Sequence, residues 1–139
     1  MRLRQIRVFL LCFLLASLSL FPLTARGESI VSWGGDGSGN IVSGSPGGDQ
    51  FKAIAAGPQN SMALTVDGAI VIWGRDNSDQ ISGAPASIGY TTIAVGGDFG
   101  LTLAANGSIT MWGNDIGGTE PPGTGFIAIA AGNFSHAHA

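Results

Sequence analysis

An all-β repeat fold, a partial, open β-propeller, is predicted by three observations in this 139-residue sequence. Ser61–Gly74 reads SMALTVDGAIVIWG, two strand-like runs around Asp67-Gly68, and Gly100–Gly113 repeats it as GLTLAANGSITMWG around Asn106-Gly107. The tryptophans that close such runs, Trp33, Trp73 and Trp112, fall at steps of 40 and 39. Glycines that close Ile-Ala-x-Gly runs, Gly57, Gly96 and Gly132, fall at steps of 39 and 36. Strand-rich units repeating about every 40 residues are the mark of propeller blades, each of about four short strands.

The elements follow in order. Ser29–Gly34 matches the second run of the hairpin and ends in Trp33-Gly34. Phe51–Gly57, Tyr90–Gly96 and Phe126–Gly132 open successive units. In the hairpin, Met62, Leu64 and Val66 alternate with Ser61, Ala63 and Thr65, the period of a strand with one face buried. Asp67-Gly68 and Asn106-Gly107 predict two-residue type I′ turns with all four residues at positive φ. Ala69–Trp73 is apolar throughout, which predicts a strand buried on both faces, as does Ile127-Ala128-Ile129. A weak fourth strand is expected near Ile41-Val42 and Ile81-Ser82.

The N-terminus reads differently. Arg2, Arg4 and Arg7 precede an apolar core, Val8–Leu20, then Pro22 and the small residues of Ala25-Arg26-Gly27. That order predicts a secretory signal peptide over 1–27, with a mature chain beginning near Glu28 and exported to the cell surface, periplasm or medium. The competing reading is an uncleaved anchor, but Val8–Leu23 is 16 residues, short of the ~20 that span a bilayer. Cys12 lies inside the apolar core rather than after it, which argues against lipidation. The propeller part, 28–139, divides at about 28–50, 51–89, 90–125 and an incomplete 126–139.

Residues 28–139 carry two cations, Lys52 and Arg75, against nine carboxylates, a net charge near −7. Such a surface repels phosphate and argues against nucleic-acid binding. With no cysteine beyond Cys12, this part rests on packing rather than disulfides.

Few residues suggest chemistry. The Trp-Gly pairs read as structural: the indole fills space between blades, and a ligand-stacking role is the lesser alternative. Asp36–Asn40 and Asp76–Asp79 hold oxygen ligands, but without calcium-loop spacing or a bidentate Glu behind them, and Asp and Asn favour such turns anyway. His136 and His138, two apart, lack a third His or a Cys to complete a metal site. No Gly-x-Ser-x-Gly elbow and no phosphate-binding Gly/Lys loop is present. No catalytic, cofactor or metal residue is therefore assigned, and an enzyme is not expected.

The pattern aromatic-x-x-Ile-Ala-x-Gly, Leu-x-Leu-Thr, Asp/Asn-Gly, Trp-Gly resembles the regulator-of-chromosome-condensation repeat. The Gly/Asp loop followed by Pro resembles its bacterial branch, which includes the β-lactamase inhibitory protein II type. The likeness runs from about Ser29 to the end. The family often has a His three residues after the Ile-Ala-x-Gly glycine, where this chain has Asn60, Phe99 and Ser135. It also commonly closes with seven blades, whereas this sequence holds about two and three-quarter units. The expected function is protein–protein binding through the variable rim segments Gly35–Gln50, Arg75–Gly89 and Asn114–Gly125. The resemblance also implies two alternatives, inhibition of an enzyme such as a β-lactamase and guanine-nucleotide exchange. The second conflicts with export. A non-functional gene fragment is a further reading. Self-association to complete a ring is expected, because outer blade faces would otherwise stay wet.

Overall fold

The computed structural model describes residues 27–34, 36, 41–114, 120–132 and 137–138. The leader over 1–26, the loop 37–40, residues 115–119 and His136 lie outside these.

Two complete sheets carry the fold. The first is β1 (Phe51–Ala56), β2 (Asn60–Thr65) and β3 (Ile70–Gly74), antiparallel in the order β1-β2-β3. The second repeats it as β4 (Tyr90–Val95), β5 (Phe99–Ala104) and β6 (Ile109–Gly113). A third begins with β7 (Ala130–Ala131) paired to β8 (Ala137–His138). The registers match: Met62 faces Ile72 in one sheet, and Leu101 faces Met111 in the other. Both first strands carry an irregularity just after their aromatic, between Phe51 and Ala53 and between Tyr90 and Thr92.

The sheets stack face to face. Met62 and Leu64 from the first meet Tyr90, Ile93 and Trp112 from the second. Leu101, Leu103 and Ile109 meet Phe126, Ile129 and Ala131 of the third unit. Ile30 from the segment before β1 packs against Phe51, Ala63 and Trp73. The second and third units thus lay their opening aromatic and Ile-Ala residues on the hairpin of the unit before.

Stacking reassigns the buried strands. The middle strand β2 is buried at all six positions, although its sequence alternates. Met62 and Leu64 face the second sheet, while Ala63 lies under Phe51 and Trp73 of its own sheet and Ile30, so both faces of the strand lose their water. Strand β3 lies at the sheet edge, and Ile70, Val71 and Ile72 are only half-buried. The third unit departs further: Ile127 is 94% exposed, and 126–129 is not a strand. Its equivalents by position are Lys52 and Thr91, so an apolar residue here stands where the other units put a polar one.

The turns also differ from the type I′ expectation. Asp67 and Asn106 are not at positive φ; Gly68 (φ 85°) and Gly107 (φ 78°) are. Gly68 N–H donates to Thr65 C=O (3.0 Å) and Thr65 N–H to Ala69 C=O (2.9 Å). Ala104–Ser108 repeats both bonds. This is a three-residue hairpin loop, a type I turn followed by a left-handed glycine. Side chains select it. The Thr65 hydroxyl donates to the Asp67 carboxylate and accepts from Ala69 N–H (2.8 Å), and Asn106 Oδ1 accepts from Ser108 N–H (2.9 Å).

The expected fourth strands are turns: residues 41–44 and 79–83 bend back on themselves. Ser29–Trp33 is not a strand, and only Glu28 just before it makes an isolated bridge, to Phe51. Trp33 is 83% exposed, whereas Trp73 and Trp112 are each 7% exposed.

Candidate interaction surface

The segments after each Trp-Gly follow the ends of β3 and β6, and their geometry comes from a few polar bonds. Asp76 Oδ1 accepts from the backbone N–H groups of Ile81 (2.8 Å) and Ser82 (3.1 Å). Asp36 Oδ1 does the same for Val42 (2.8 Å) and Ser43 (3.1 Å). Each carboxylate therefore closes a turn rather than facing outward as a free ligand. Among the described residues no three His, Cys, Asp or Glu side chains meet.

The tryptophans fix the other end of these loops. Trp73 Nε1 donates to Ile41 C=O and Trp112 Nε1 to Gln80 C=O, both at 2.8 Å and both 32 residues upstream. Gln80 is fully buried. Its Oε1 accepts from Ser78 N–H (2.8 Å) and its Nε2 donates to Asp98 Oδ1 (3.0 Å), which ties the loop to the β4–β5 turn of the next unit. Arg75 reaches Gln59 Oε1 at 3.0 Å. Lys52 Nζ lies 3.4 Å from the carbonyls of both Val66 and Tyr90, so both cations of this part are directed onto neutral acceptors.

The marker residues divide by role. Trp73 and Trp112 are buried anchors of the loops, while Trp33 stands exposed. A Cβ on Gly57 would lie 2.7 Å from Gly96 C=O, so Gly57 allows two units to approach where the strands leave for their turns. Gly132 is half-buried after β7. Gly68 and Gly107 end the hairpins, and their carbonyls accept from Tyr90 N–H (3.0 Å) and Phe126 N–H (3.2 Å) of the following unit. Asn60, at the position where the resemblance expects His, is fully buried with neither amide atom bonded. The Gln80 bridge escapes sequence reading, because Ile41 fills its place in the preceding unit and only the backbone carbonyl is shared.

The pinning carboxylates titrate low. Backbone bonds from Ile81 and Ser82 hold the Asp76 carboxyl below its ordinary range, and the Ser43 and Val42 bonds do so for Asp36. A lowered pKa stabilises above the unfolded-state value, ~3.9, and the stabilisation disappears as pH falls through the folded value. Hydrogen exchange at Ile81 and Ser82 should stay slow from pH 7 to about 4 after correction for intrinsic rates. Below that their protection should fall, and Asp76→Ala should abolish it at every pH. Protection insensitive to both changes would show that the carboxylate does not hold the turn.

Comparison with known proteins agrees with this architecture. Residues 51–80 match the model of the regulator of chromosome condensation (RCC1) repeat. No curated protein sequence matches the chain. Among solved structures, the CRINKLY WD40 ectodomain of the Arabidopsis thaliana receptor kinase ACR4 superposes with a TM-score of 0.62 at 24% identity. That match covers 76% of this chain and 37% of the ectodomain. The entire ectodomain of the Physcomitrella patens receptor kinase CR4 superposes with a TM-score of 0.66 at 25% identity, covering 78% of this chain and 30% of the other. The chain thus spans about a third of the length of these ectodomains. The described residues thus form an all-β partial propeller, within which residues 51–80 are similar to the regulator-of-chromosome-condensation repeat.

Proposed function

We propose that this chain is an exported, non-catalytic protein-interaction module that binds its partner through the loop 75–89 and its counterparts. The observation that carries this is the pinning of the loop: Asp76, Gln80 and Trp112 fix its backbone, while Asn77, Asp79, Ser82 and Ser87 are exposed and Ile88 is 70% exposed. A loop held rigid with its variable side chains outward loses little entropy on binding. A repeat propeller fold is consistent with such a role. Export is supported by the basic start and apolar core of the leader, and the two similar structures are ectodomains of receptor kinases.

Two measurements test this reading. N-terminal sequencing of the protein from the exported fraction should begin near Glu28; a soluble cytoplasmic chain retaining Met1 overturns export. Partners captured from the exported proteome should be lost when Asn77 and Ile88 are both changed to Ser, with the melting temperature unchanged. Capture that survives this change removes the loop from the binding surface.

A further inference from the structure

Of the six asparagines in the chain, Asn106 alone precedes a glycine. Such a pair carries its own chemistry. With no side chain on the second residue, its backbone nitrogen can reach the side-chain carbonyl carbon of the first without hindrance. Here the pair sits at the tip of the second hairpin, and the peptide group between the two residues is held at both ends. Asn106 C=O accepts from Gly125 N–H (3.2 Å), and Gly107 N–H donates to Ala104 C=O (2.9 Å). Gly107 C=O in turn accepts from Phe126 N–H (3.2 Å). Gly107 is buried, while Asn106 is exposed to water. The side-chain carbonyl is the opposite case. Asn106 Oδ1 accepts from Ser108 N–H (2.9 Å) and from the Ser108 hydroxyl (2.8 Å). Two donors draw electron density away from Cγ, so the electrophile is primed while the nucleophile is held.

We propose that Asn106-Gly107 is a latent deamidation site, closed by the contact between the second and third units and opened when they separate. Gly107 N gives its proton to base in the solvent and attacks Asn106 Cγ. The N–Cγ bond forms, the Cγ–Nδ2 bond breaks, and ammonia leaves, taking a proton back. The product is a cyclic imide, which water opens at either carbonyl. Cleavage of the N–Cγ bond gives aspartate on an unchanged main chain. Cleavage at the main-chain carbonyl gives isoaspartate, whose main chain runs through Cβ and Cγ and is longer by a carbon. In the folded chain the first step is blocked. Loss of the Gly107 proton forfeits the Ala104 bond. A type I turn also sets ψ near about 0° at its third residue, here Asn106, and closing the ring turns the peptide out of that plane and off the Gly125 bond.

The first hairpin shows which product the fold accepts. Asp67 stands at the equivalent place, in the same loop, with the same bond from Gly68 N–H to Thr65 C=O (3.0 Å). Aspartate at 106 therefore fits. Isoaspartate does not: a Cβ on Gly107 would already lie 2.4 Å from Gly125 N, so a lengthened main chain pushes this glycine off the third unit. Separation of the units thus becomes one-way for the fraction that reacts to isoaspartate.

The test is peptide mass mapping of the full-length chain, incubated at mildly alkaline pH in buffer and in guanidinium chloride. In denaturant Asn106 should react fastest, ahead of Asn77, which precedes Ser78. In buffer it should react at least about tenfold more slowly, the ratio given by ~1.4 kcal/mol of resistance to opening. At intermediate denaturant its rate should follow the opened fraction. After refolding, aspartate chains should lie in the pool that melts with the parent. Isoaspartate chains, detected by enzymatic methylation of the new carboxylate, should lie in the pool that does not. Asn106→Asp, made directly, should melt with the parent. Equal rates in buffer and denaturant, another asparagine leading in denaturant, isoaspartate chains that regain the parent's melt, or an Asn106→Asp chain that does not fold would each overturn the proposal.

Discussion

Trp112→Ala is expected to cost about 3–5 kcal/mol of unfolding free energy, the usual range for truncating a buried aromatic. The indole lies among Met62, Leu64, Tyr90 and Ile93, so its loss opens a cavity at the junction of two sheets. It also removes the donor to Gln80 C=O, which leaves a buried carbonyl unpaired. A domain is stable by only ~5–15 kcal/mol, so the variant should unfold at far lower urea than the parent. Trp33→Ala, compared at a concentration where the chain is monomeric, should change stability by no more than about 0.5 kcal/mol, because the ring is exposed. Equal urea midpoints for Trp112→Ala and the parent would remove this tryptophan from the core.

The same pair of residues shows how far the sequence was legible. Trp33, Trp73 and Trp112 are identical in type and spacing, so sequence reading gives all three one role. Trp73 is buried against Phe51 and Ala63 and Trp112 against Met62, Leu64, Tyr90 and Ile93, whereas Trp33 stands exposed, and periodicity does not encode which partners each tryptophan finds. The repeat itself was readable because successive units use the same residue types at the same places: an aromatic opens, Ile-Ala lies on the preceding hairpin in the second and third units, and glycine ends the turn. The choice between β2 and β3 as the doubly buried strand was not readable. The alternation of Ser61, Ala63 and Thr65 with Met62, Leu64 and Val66 looks half-polar, yet Ala63 is covered by Phe51, Trp73 and Ile30, so β2 is buried on that face as well. At Ile41-Val42 and Ile81-Ser82 the β-branched residues suggested strands, but Asp36 and Asp76 bind their amides and fold them into turns.

The hairpin glycines carry the second large effect. Gly107→Val should destabilise by about 2–5 kcal/mol, from a left-handed backbone that β-branched residues resist and from a steric clash. Gly107 has φ 78°, and its Cβ would sit 2.4 Å from Gly125 N, a backbone atom that cannot swing aside. Relief of that clash requires the third unit to move away from the second sheet, which breaks the bond from Phe126 N–H to Gly107 C=O. Gly68→Val should behave alike, with its Cβ 2.8 Å from Gly89 N and Tyr90 N. Gly89→Ala separates the two causes. Gly89 has φ 92° with nothing within 4 Å of its Cβ, so only conformational strain remains, and about 1–2 kcal/mol is expected. Thermal melts of the three variants should therefore rank Gly89→Ala above Gly68→Val and Gly107→Val. If all three melt with the parent, the hairpin tips are not where successive units touch. If Gly89→Ala falls as far as the valines, backbone strain alone accounts for the loss and contact between units contributes nothing.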